Sequence, residues 1–161
     1  MITVRSAGVL DARPMADLLN QIIAIGGTTA LVTPKTPQDV QTWMRAHPTQ
    51  SIWHLAEDDD GTVLGFQWVE PHLDLPKNVL NIATFVKPDQ HGMGVGSKLF
   101  NATQDVARQK GYLWINATIR ADNEGGLIYY QSRGFEPYAR LAGVRLENGQ
   151  IVDKLKTRFD L

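Results

Sequence analysis

The sequence predicts an α+β fold, a mixed α/β sheet and not a strict strand–helix alternation. Seven short apolar runs read as strands and four amphipathic segments read as helices. Their order is β-α-α-β-β-β-α-β-α-β-β, which groups strands together in the middle and at the end of the chain. The 161 residues hold no internal repeat, low-complexity tract or Pro/Gly/Ser linker, so residues 1–161 are expected to form one domain.

Ile2 to Arg5 reads as a short strand. From Asp11 to Ile25, Met15, Leu18, Leu19, Ile22 and Ile23 recur at helical spacing until Gly26-Gly27 stops the run. Residues 28–35 read as a loop. Thr36-Pro37-Gln38-Asp39 then starts a second helix, with a hydroxyl N-cap, proline at the first helical position and an acid in the first turn. That helix should end near His47-Pro48.

Ser51 to Glu57 and Thr62 to Glu70 read as strands joined by the turn Asp58-Asp59-Asp60-Gly61. After a loop over 71–78, Val79 to Val86 is a strand, and Lys87-Pro88-Asp89 breaks it. From Gly94 to Lys110, Val95, Leu99, Ala102 and Val106 share one helical face, which Arg108, Lys110 and Gly111 close. Tyr112 to Thr118 is a strand, Asn123 to Arg133 a short helix, and about 135–146 and 151–159 are the last two strands.

Composition narrows the function. Apolar residues make up 43% and charged residues 20%, as in an ordinary globule, and the formal charge of -1 argues against nucleic acid as a partner. With no cysteine there is no disulfide, no thiolate zinc site and no cysteine nucleophile. No run approaches the length of a membrane span and Met1-Ile2-Thr3-Val4-Arg5 lacks a signal-peptide core. A cytoplasmic protein with no membrane partner and no metal is expected.

Two segments carry chemistry. In His91-Gly92-Met93-Gly94-Val95-Gly96-Ser97, alternate glycines let the backbone curl around a ligand, and the following helix start offers free N–H donors. That suits a diphosphate without a net basic charge. The dinucleotide pattern G-x-G-x-x-G fails in both registers, on Ser97 and on Leu99, and the P-loop fails because Ser97-Lys98 has its lysine and hydroxyl reversed. In Asn123-Glu124-Gly125-Gly126-Leu127-Ile128-Tyr129-Tyr130, two glycines in a first helical turn cost roughly 1 kcal/mol each, which suggests close approach by a ligand or neighbouring backbone. Tyr130, two turns beyond Asn123, is a phenol able to donate a proton at neutral pH.

In this order and spacing the two segments resemble the GNAT superfamily of acetyl-coenzyme A-dependent N-acetyltransferases. One signature falls on His91-Gly92-Met93-Gly94-Val95-Gly96 and the other on Asn123, Gly126, Tyr130 and Gly134-Phe135. The stretch Gly26 to Trp43 and the tail Gly143-Val144, Asn148-Gly149 and Asp153 are similar to the phosphinothricin acetyltransferase-like subgroup. The resemblance implies a twisted, mostly antiparallel central sheet of about seven strands flanked by about four helices.

It also implies roles. The backbone of Thr84, Phe85 and Val86 would hold the pantetheine arm and polarise the thioester carbonyl. Amides of Gly92, Met93, Gly94, Val95, Gly96 and Ser97 would hold the diphosphate of acetyl-CoA, Asn123 would contact the coenzyme through its side chain, and Tyr130 would protonate the departing thiolate. The acceptor would be a small amino acid-like amine attacking directly in a ternary complex, and the subgroup's frequent dimers bring the expectation of a homodimer. Alternatives on the same scaffold are peptide or protein N-terminal acetylation and a non-catalytic acyl-CoA sensor. Two residues depart from the pattern: His91 stands where Arg or Gln is usual, and Asn81 where the subgroup has Glu. Asparagine is no general base, which leaves Glu70, His72 and Asp74 as candidates.

Overall fold

The structure, a computed structural model, describes residues 1–161. Its seven strands are β1 (Thr3–Ser6), β2 (Ile52–Glu57), β3 (Val63–Glu70), β4 (Val79–Val86), β5 (Trp114–Arg120), β6 (Glu136–Arg145) and β7 (Ile151–Asp160). The four helices are α1 (Ala12–Ile25), α2 (Pro37–Ala46), α3 (Val95–Gln109) and α4 (Glu124–Arg133). One sheet orders the strands β1-β2-β3-β4-β5-β7-β6, and every neighbouring pair is antiparallel except β4–β5. The expected element order and mostly antiparallel sheet are therefore present. No helix is long and apolar enough to cross a membrane.

Local chemistry explains the boundaries. Thr36 and Asp39 form the anticipated capping box on α2: Asp39 N donates to Thr36 Oγ1 at 3.1 Å and Thr36 N to Asp39 Oδ2 at 2.8 Å. The fifth strand begins two residues later than its apolar pattern suggested. Tyr112 N still donates to Ala107 O, so Tyr112 belongs to the closing turn of α3. It also runs two residues further, to Arg120, because β7 pairs it up to Lys154.

Each sheet face has its own core, because successive strand residues point to opposite sides. On one face α1 and α2 pack with Trp53, Leu55, Phe66, Trp68 and Phe85. On the other, Phe100 and Ala107 of α3 and Tyr130 of α4 pack with Leu80, Ile82, Ile115 and Ala117. Trp53 and Trp68 stack at 4.4 Å with Trp43 against them, so the tryptophans are mainly core.

Candidate active site

The site begins where the sheet comes apart. β4 and β5 pair only through Val79–Trp114, Leu80–Ile115 and Asn81–Asn116. Beyond these, β4 follows β3 to Val86 and β5 follows β7 to Arg120, leaving a fork between them. At its base Asn116 Nδ2 donates to Asn81 Oδ1 and to Thr118 Oγ1, each at 2.9 Å, and Tyr138 donates to Asn116 Oδ1. A cavity of about 1320 Å³ runs through the fork, large enough for a nucleotide cofactor plus a second ligand.

The β4 edge of the fork offers backbone groups. Lys87 N donates to Leu64 O at 2.8 Å. The antiparallel alternation then makes Phe66–Phe85 a hydrogen-bonded pair and turns the peptide groups of Thr84 and Val86 away from β3, into the fork. Phe85 differs from the expectation: its peptide groups are spent on β3 and its ring is buried in the α1–α2 core.

At the open end, Gly92 and Gly94 take φ of +82° and +84°, a left-handed conformation that favours glycine. They curl the chain into α3 so that the amides of Gly92, Gly94, Val95, Gly96 and Ser97 have no backbone partner, and all five residues line the cavity. Met93 is the exception. Its amide donates to Gln90 O, and its exposed side chain lies off the cavity. His91, in the signature position, rests Nε2 at 3.3 Å from Val86 O.

A cation that sequence reasoning missed stands beside this cradle: Arg133 Nη1 donates to Ser97 Oγ at 2.6 Å. Asn123 does structural work, accepting from Gly126 N at 3.0 Å as the α4 cap and donating to Thr28 O at 2.8 Å. Its side chain is also what requires Gly126, since a Cβ there would meet Asn123 Nδ2 at 2.4 Å. Gly125 has no such neighbour nearer than 3.9 Å.

Tyr130 is buried beneath the fork, its oxygen 2.8 Å from Thr84 Oγ1. Tyr129 donates to Gly96 O at 2.7 Å. Burial raises both phenols, Tyr129 to about 12, with Tyr130 raised further by its neighbour Tyr129. Since an unfolded tyrosine ionises near 10, the stability held by these neutral phenols is complete below that pH and falls as pH rises past it. Denaturant midpoints at pH 8 and 11 should therefore differ, the higher pH being less stable.

The opposite wall is polar and cationic. Arg120, Lys154 and Lys156 share one sheet face through the Arg120–Lys154 and Thr118–Lys156 pairs, and all line the cavity. Arg120 is neutralised by Asp122, whose oxygens accept at 2.9 and 2.7 Å. Lys154 and Lys156 have no acidic partner, and burial together with Arg120 lowers Lys154. Ile22, Leu31, Trp68 and Leu75 supply apolar surface. Of the three candidate bases, His72 and Asp74 line the cavity and Glu70 does not.

A forked sheet beside a helix start with free amides is built to hold a long, diphosphate-bearing cosubstrate along a strand edge. The model of the acetyltransferase (GNAT) family matches residues 23–135. The L-methionine sulfoximine/L-methionine sulfone acetyltransferase of Pseudomonas paraeruginosa is 30% identical over 159 residues, 94% of this chain and 90% of its own. The phosphinothricin N-acetyltransferase of Streptomyces coelicolor is 25% identical over 83% of this chain and 81% of its own. Among solved structures, a phosphinothricin acetyltransferase from Sinorhizobium meliloti in complex with AcCoA superposes with a TM-score of 0.88 at 17% identity, covering 99% of this chain and 88% of its own. The chain belongs to the GNAT acetyltransferase family. It is an N-acetyltransferase that uses acetyl-CoA.

Proposed function

We propose that the acceptor is the primary amine of a small amino acid-like molecule, which attacks the thioester directly within a ternary complex. The fork carries this reading: it joins the amide cradle on one side to the cationic wall on the other, with Thr84 and Tyr130 between them. In this proposal the amides of Gly92 and Gly94–Ser97 hold the diphosphate with Arg133 beside them. The peptide groups of Thr84 and Val86 hold the pantetheine arm over the Phe85 strand, Asn123 sets the start of α4, and Tyr130 protonates the departing thiolate. Asn81 has no basic group to take a proton, so the amine's proton leaves through water or His72 on the cavity wall.

The relatives named for methionine sulfoximine and phosphinothricin support an amino acid-like acceptor and give no support to peptide acetylation or a non-catalytic sensor. Titration calorimetry tests the foundation: acetyl-CoA should bind at micromolar concentrations and NAD should not, with desulfo-CoA as a second control. Thiol release with a panel of amines then identifies the acceptor. A homodimer and a cytoplasmic location belong to the same proposal, and light scattering checks the first.

Lys154 and Lys156 suit the acceptor's acid group. A charge-assisted hydrogen bond contributes about 1.5–3 kcal/mol, so Lys154→Met with Lys156→Met should raise the KM of a carboxylate-bearing acceptor roughly 10- to 100-fold. The acetyl-CoA Kd should not move. An unchanged acceptor KM would put the acid group elsewhere.

A further inference from the structure

Gln67 is the one amide within a largely apolar β3, and it is completely buried. Nothing in its own strand needs a polar side chain, yet its Nε2 reaches two partners: Thr84 Oγ1 at 2.8 Å and Tyr129 oxygen at 3.3 Å. Hydrogen-bond directions can be followed from there. Tyr129 has a single hydroxyl proton and gives it to Gly96 O. Only lone pairs then face Gln67, so the Gln67 atom opposite Tyr129 is the NH2 group. The second amide hydrogen goes to Thr84, whose oxygen therefore accepts. Tyr130 lies 2.8 Å from Thr84, a contact in which either hydroxyl can donate, and the Thr84 proton, not needed by Gln67, is available to the Tyr130 oxygen.

We infer that Gln67 and Thr84 are positioning residues that fix the direction of the Tyr130 hydroxyl, leaving its proton free for the fork. The inference rests on the proton-donor role proposed for Tyr130. With its oxygen accepting from Thr84, Tyr130 has no acceptor in the chain for its own hydrogen, and its side chain lines the cavity. In the transfer, the amine nitrogen forms a bond to the thioester carbonyl carbon, the carbon–sulfur bond breaks, and sulfur leaves with the electron pair. Tyr130 gives that sulfur its proton while Thr84 donates to the phenolate oxygen left behind. The proton lost by the amine returns through solvent to Tyr130, so the balance is one amide and one thiol.

The polarity of the chain is the testable content. Thr84→Val removes the donor and should lower kcat about 10-fold with the acetyl-CoA KM within about twofold, and Thr84→Ser should restore most of the rate. Gln67→Met should behave like Thr84→Val. Should Gln67→Met fail to fold, by loss of acetyl-CoA binding in calorimetry, the threonine pair carries the test alone. In a Tyr130→Phe background, Thr84→Val should cause no further loss, because no phenol remains to orient. Equal losses from Thr84→Val in both backgrounds, or failure of Thr84→Ser to restore the rate, would overturn the inference and leave the Tyr130 role standing. Full activity of Tyr130→Phe itself would remove both.

Discussion

Tyr130→Phe is expected to lower kcat about 100-fold, the lower end of what a positioned general acid contributes, with the acetyl-CoA Kd within about twofold. Phenylalanine keeps the ring, and the ring's contacts are edge-on to Tyr129 at 4.9 Å and to Phe135 at 5.1 Å. Packing on that face is therefore preserved. What is lost is the oxygen that Thr84 faces, which leaves a buried hydroxyl unpaired at a cost of about 1–3 kcal/mol. For a chain of this size that is a fall in Tm of only several degrees. The two readouts separate cleanly: the variant should be folded and coenzyme-bound at 25 °C, yet slow. A variant as fast as the parent with a confirmed acceptor would show that the thiolate takes its proton from another group.

The order of elements could be read from the chain because local chemistry marks each boundary. Apolar periodicity outlines α1 and α3, the Thr36–Asp39 box opens α2, and glycines close helices at Gly111 and Gly134. The sheet order could not, since β7 enters between β5 and β6 through pairings that no local pattern encodes. The same limit hid half of the site. The cradle is a contiguous segment and shows itself in seven residues. Gln67, Thr84 and Tyr129–Tyr130 meet only after three elements come together. Gln67 did leave a trace, as a polar residue between Phe66 and Trp68 in a strand otherwise apolar up to its terminal Glu70. Lys154 and Lys156 alternate along β7, but their face is known only from the β5 register. The doubled glycine at 125–126 looked like one feature and is not, because only Gly126 lies under the Asn123 side chain.

Gly96→Val should weaken acetyl-CoA binding about 100-fold, and the reason is a side chain and not the ligand. A Cβ at Gly96 would sit 2.6 Å from Tyr129 Cε1, closer than any unshifted neighbour allows. The ring cannot swing aside freely: its hydroxyl is held by Gly96 O and Gln67, and its face meets Tyr130. Even the smaller Gly96→Ala sets opposing effects against each other. Alanine favours the helix by about 1 kcal/mol over glycine. Overpacking costs about 1–3 kcal/mol, and losing the Tyr129–Gly96 hydrogen bond costs about 0.5–1.5 kcal/mol more. The clash wins, so the alanine variant should be less stable than the parent despite its better helix propensity. Valine enlarges the clash and must move the α3 start, which displaces together the adjacent amides proposed to hold the diphosphate. A single hydrogen bond to a charged group is worth about 1.5–3 kcal/mol, so losing one or two from the cradle accounts for the hundredfold change. The comparison with Gly94→Val is informative, because no atom lies within 4 Å of a Cβ there and only the +84° φ resists. Both variants should lose binding, but only Gly96→Val should also slow the acetyl transfer that remains, since only it pushes on Tyr129 and through it on Tyr130. Wild-type affinity in Gly96→Val would mean that the free amides of this turn do not hold the coenzyme.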